Sequence, residues 1–176
     1  MLGLEGQIGG TLTCDLSPEA LAAANINPTT RLATDYLNHF NNVVMLLDFI
    51  ATMPDFVEEI LQWQPMDYVT YFRSSHFRER ELAVAAYEAA EPAVRREFER
   101  IIEALNEALK HTQDRLTSAD PTDPHVIAEL LDLLHGTMQP LIAEAGGIIN
   151  GACILASRTV ESPARRVQTS VDELFP

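Results

Sequence analysis

Positive charge is scarce in this chain of 176 residues: 26 acidic side chains stand against 12 Lys and Arg, and none of the basic ones falls between positions 32 and 72. The net charge of −14 sets up a field that repels phosphate backbones and anionic lipid, which argues against nucleic-acid partners. Cysteine is nearly absent. Cys14 and Cys153 are too few and too far apart in sequence for a disulfide framework or a zinc site, so both are expected as free thiols in a reducing compartment. No hydrophobic run suits a membrane: the longest charge-free stretch late in the chain, 145–157, is 13 residues and is interrupted by Gly146, Gly147 and Gly151. A span needs about 20 apolar residues. Glu5 stands where a secretory leader carries positive charge and no apolar segment follows it, so the expected location is cytoplasmic.

Catalytic signatures are missing as well. The sequence has no Gly-x-Ser-x-Gly turn, no glycine-rich phosphate loop, and no Cys or Ser in a recognisable pattern with a His. His111, between Lys110 and Asp114, is a poor match for an exposed phosphorelay histidine. No cofactor is implied. What remains is a folded composition, 47% hydrophobic and 22% charged, of a length that fits one domain.

Helical signals dominate. Ser17-Pro18-Glu19 supplies an N-cap, a first-turn proline and a first-turn acid, and Asn25 stops that short helix. Leu32, Tyr36, Phe40, Val43, Leu47 and Ile50 recur every three or four positions and predict a long helix over 31–52. Pro54 begins a shorter segment to Trp63, followed by an irregular or single-turn corner at 68–72 and a helix from His76 to Ala90 capped by Ser74 or Ser75. Val94, Phe98, Ile101, Leu105, Ala108, Thr112 and Leu116 predict a helix of about 25 residues with acids and bases paired on its outer face. Asp123-Pro124 starts another, with Val126, Leu130, Leu134 and Met138 inward; Gly136 and Pro140 bend or break it before a last segment over 141–155. The expected fold is all-α: an antiparallel bundle of four to five principal helices over 17–157, preceded by an arm at 1–16 and followed by a tail at 158–176.

Nine of the twelve aromatic residues lie between Tyr36 and Phe77. Tyr36, Trp63, Tyr68 and Tyr71, with His39, Asn42 and His76 as polar groups, are the candidates for a pocket holding a small apolar ligand. Aromatic filler at an irregular corner is the simpler account of the same residues. Metal was the other candidate, from the pairs Asp35/His39, His76/Glu79, Glu107/His111 and Asp132/His135. Helical angles turn the last two pairs to water, and the Glu-x-x-His pairs of carboxylate-bridged bundles are missing, so no metal site is expected. On the 31–52 helix Met45, Leu46 and Phe49 lie opposite the main apolar arc. The reading that unites these features is a non-catalytic cytosolic bundle that associates with itself as a homodimer, or with a partner, through Met45, Leu46 and Phe49, in a regulatory or accessory role. The alternative is a small-molecule-binding or metal-dependent bundle with its site between the 31–52 helix and residues 63–77.

Overall fold

A computed structural model of the chain describes residues 14–152. Those residues form an all-α bundle, and no helix among them is long and apolar enough to cross a membrane. The arm expected at 1–16 is described only from Cys14 onward, and Cys153 and the expected tail lie outside the described residues.

Helix α1, Pro18–Ala23, begins where Ser17 Oγ accepts the Ala20 N–H at 3.3 Å. Asn25, at φ +59°, turns the chain out of it in the left-handed conformation that asparagine tolerates. Residues 31–33, expected as the first turn of a long helix, are instead placed by a loop. Asn27 Oδ1 accepts the N–H groups of Thr29 and Thr30, Arg31 sits at φ +61°, and Ile26 and Ala33 form an isolated antiparallel bridge. Tertiary partners replace helical ones here: Leu32 and Ala33 are fully buried, and the Ala33 N–H donates to the Tyr68 hydroxyl at 2.9 Å. The helix therefore starts late, as a 3-10 turn over Thr34–Leu37 that runs into α2, Asn38–Asp48.

Helix α3 spans Phe56–Gln62. The stretch expected as an irregular or single-turn corner is helix α4, Tyr68–Ser74: Asp67 caps it, with Oδ1 accepting the Thr70 N–H at 2.9 Å and Oδ2 the Thr70 hydroxyl at 2.6 Å. Helix α5, Arg80–Glu88, starts four residues later than expected, because Ser75 Oγ accepts the Phe77 N–H in a local turn. Helix α6, Pro92–Ser118, is 27 residues long and buries the whole predicted stripe from Val94 to Leu116. Its one buried hydroxyl, Thr112, donates to the Ala108 carbonyl.

Asp123 caps α7, Pro124–Leu133, by accepting the His125 N–H at 2.8 Å. The bend expected at Gly136 and Pro140 is a π-helical turn, Leu134–Met138, which passes without interruption into α8, Gln139–Ile149. One wider turn absorbs the donor that Pro140 lacks. Gly151, at φ +87°, ends the last described turn. Helix α8 runs against α6, and α2 packs on α3, α7 and α8 around a core whose largest members are Tyr36, Phe40, Phe72 and Phe98. Each such side chain contributes about 1.5–3 kcal/mol on burial. Across this core the Thr30 hydroxyl donates to the Ile149 carbonyl at 2.6 Å, joining the two ends of the described fold.

Candidate functional site

The aromatic corner is built by residues that each do two things. Tyr36, on the 3-10 turn, is buried; its ring meets Phe40 edge-on at 5.7 Å and Tyr71 at 5.4 Å, and its hydroxyl donates to the Met66 carbonyl at 2.6 Å. Tyr71 donates to the Asp35 carbonyl at 2.8 Å, and the Trp63 indole N–H to the His39 carbonyl at 3.2 Å. These bonds tie the 63–72 segment to the start of α2. Burial pushes the phenols of Tyr36 and Tyr68 well above the usual range, so both stay protonated at any ordinary pH.

His39 is half-buried beside Trp63, ring centroids 5.0 Å apart, and its Nε2 is shielded from solvent without a hydrogen-bond partner. Burial lowers its pKa below the ordinary value. Asn42 is exposed on α2, and His76 is exposed between α4 and α5. Rings fill the space among Tyr36, His39, Trp63 and Tyr71, and the room lies on the other side of the corner. A cleft of about 300 Å³ opens between residues 65–68, Tyr87 and the α6 side chains Phe98, Glu99, Ile102, Glu103 and Asn106, with Tyr36 and Tyr68 in its wall. A second cleft, about 510 Å³, adjoins it and shares Pro65, Glu103 and Asn106; it continues past Trp63 and Gln64 to Glu107, Lys110 and Gln113. Of the residues expected to line a pocket, Tyr36, Tyr68 and Trp63 border these clefts, whereas His39, Asn42, Tyr71 and His76 border neither.

Gln113 fixes the far end, its Nε2 donating to the carbonyls of Ile60 at 2.9 Å and Trp63 at 2.7 Å. The charges along α6 are unevenly engaged. Glu99 accepts the Tyr87 hydroxyl at 2.6 Å and lies 3.6 Å from Arg95. Arg100 pairs with Glu97 at 2.8 Å and Glu144 at 3.3 Å, and not with Glu103 three positions on. Glu103 has no ion pair or hydrogen bond among the described residues. Asn106 Oδ1 is shielded from solvent without a partner.

Among the described residues no three His, Cys, Asp or Glu side chains are grouped so as to hold a metal ion. Of the His/carboxylate pairs, Asp35 accepts from Asn25 at 3.1 Å, His135 faces Asp48 at 3.2 Å, and His111 is exposed. On the opposite side of α2 from the corner, Met45 and Phe49 are 54% and 48% exposed, and Met53, in the turn after the helix, is 48% exposed; these are the exposed large hydrophobic residues of the described chain. Leu46 is half-buried between them and the core. Met53 escaped the helical reading because the predicted helix ends at 52, one residue before it. Glu103 and Asn106 lie off the α6 apolar stripe, and nothing local in sequence announces that the 63–68 segment folds over them. No family model matches the chain, and no curated protein or solved structure is similar to it.

Proposed function

We propose that this protein is a non-catalytic helical domain of the cytoplasm that works by binding a second copy of itself through Met45, Leu46 and Phe49, extended by Met53. The observation that carries this reading is the exposure of Met45, Phe49 and Met53, spaced four residues apart, on a stretch with no Lys or Arg to keep it apart from an apolar partner. Each presents roughly 100 Å² of apolar surface, so the three together fall short of the roughly 800 Å² per partner of a stable interface. The contact must extend over the flanking half-buried residues, and its affinity is modest. With a net charge of −14 on each copy, association also works against long-range repulsion, so added salt strengthens it. A reducing compartment suits the free thiol of Cys14.

The second reading, a small-molecule binder, finds its room not between α2 and residues 63–77 but in the clefts along α6.

Sedimentation equilibrium tests the association. The native chain is expected to approach the dimer mass as its concentration and the salt rise, and Leu46→Glu with Phe49→Glu to give a folded monomer with unchanged helical circular dichroism. Because Leu46 is half-buried, Met45→Glu with Phe49→Glu provides the independent version in which both replaced residues are exposed. A native chain that stays monomeric at high concentration, or exposed-site variants that dimerise as well as the native chain, overturns the proposal.

A further inference from the structure

We infer that the groove between residues 63–68 and α6 is a binding site for an organic cation, an amine whose ammonium group lies at Glu103 among the rings of Tyr68, Tyr87 and Phe98 and whose apolar body extends toward Trp63.

The two clefts that share Pro65, Glu103 and Asn106 form one continuous groove, long enough for a molecule with a charged head and an apolar body. Its inner end is walled by the rings of Tyr36, Tyr68, Tyr87 and Phe98; Tyr68 and Tyr87 stack on each other at 4.4 Å, so these rings supply an apolar wall rather than free faces. The Tyr87 ring is also covered by Arg95, whose guanidinium carbon lies 5.6 Å from its centroid, so a ligand cation is held there by carboxylate charge.

Charge and hydrogen bonding define the rest of the ligand. Three carboxylates border the inner cleft, and two of them are committed: Glu99 to Tyr87 and Arg95, and Asp67 to the start of α4. Glu103 is uncommitted, since the nearby Arg100 turns away to Glu97 and Glu144. Next to it Asn106 borders both clefts and has a shielded Oδ1 that no protein group satisfies. An ammonium group supplies both the charge that Glu103 lacks and an N–H that a small rotation of Asn106 can accept. An anion is repelled by Glu103 and by the acidic chain as a whole, and a neutral apolar molecule would take water from the carboxylate and give nothing in return. Lys110 stands at the outer end, in the second cleft, so the ammonium belongs at the inner end and the apolar body at the outer one.

The site lies on α6 and does not involve the Met45, Phe49 and Met53 face, so it stands or falls apart from self-association. Calorimetric titration with phenethylamine, and with hydrocinnamate as the ligand of similar size and opposite charge, tests it. The expected result is saturable binding of the amine, one per chain, weakened by salt, with no binding of the acid. Glu103→Gln, at an exposed position, is expected to weaken amine binding about tenfold. Phe49→Glu is expected to leave it unchanged. The proposal is overturned if phenethylamine shows no saturable binding at millimolar concentration, if the acid binds as well as the amine, or if the Glu103→Gln chain retains the native affinity. Loss of binding in the Phe49→Glu chain overturns it too, since the amine would then be held on the apolar face.

Discussion

Tyr36 and Phe40 on one side of the 34–53 segment, and Met45, Phe49 and Met53 on the other, come from the same aromatic-rich, base-free part of the sequence, yet the first pair is sealed in the core and the second group faces water. The difference tracks polar handles. In the buried corner the rings of Tyr36, Trp63, Tyr68 and Tyr71 pack on one another while a hydroxyl or indole nitrogen of each binds a main-chain group of another segment. Those side chains join segments of the protein to each other. Methionine and phenylalanine have no such handle, and on the open face they can contribute only apolar area, which becomes useful when something covers it.

Substitutions can sharpen that contrast. Tyr36→Ala should cause the largest loss, about 3–5 kcal/mol in urea unfolding, because it leaves a cavity among five rings. Tyr36→Phe, which keeps the ring and deserts the Met66 carbonyl, should cost about 1–3 kcal/mol; a cost near zero would show that the hydroxyl does not hold the corner. Asp67→Ala removes the cap of α4 and should cost about 1 kcal/mol in the same assay.

A smaller effect, confined to mildly acid solution, is expected at His39. Burial holds its folded-state pKa below the ordinary 6.5, so the unfolded chain takes up the proton first as pH falls. The stability that neutral His39 contributes is present above pH 6.5 and is lost as the pH drops through and below that value. Unfolding measured on either side of this window should show a shallower pH slope for His39→Gln than for the native chain. At the far end of the scale, Phe49→Ser should change monomer stability by no more than about 0.5 kcal/mol, the range of ordinary surface positions. A large loss there would place Phe49 with the corner and erase the contrast.

Where periodicity is long it is legible. Helix α6 runs for 27 residues, enough for the 3.6-residue repeat to identify the buried face from Val94 to Leu116. The start of α2 was not legible, since the Leu32 and Tyr36 spacing continues the helical pattern backwards while the backbone is held extended by a hydroxyl from Tyr68. Helix α4 was only partly legible for a different reason: Val, Thr, Tyr and Phe in a row favour at most a single turn, and the Asp67-x-x-Thr70 cap that extends it is a short signal. For the candidate sites, the helical wheel sets Met45, Leu46 and Phe49 opposite the main arc, yet Met45 and Phe49 are exposed while Leu46 is half-buried, because exposure depends on what the rest of the chain leaves uncovered. The groove along α6 depends still more on long-range placement, because Glu103 and Tyr68 belong to segments that only the fold brings together.

The bond from Thr30 to Ile149 spans 119 positions. A growing polypeptide emerges from the ribosome from its N-terminus onward, so the loop that carries the left-handed Arg31 must wait, with its buried hydroxyl unanswered, until nearly all of the bundle has been synthesised. The turns around Thr30 are thus among the last to be completed, and a chain released before α8 leaves that hydroxyl without its acceptor.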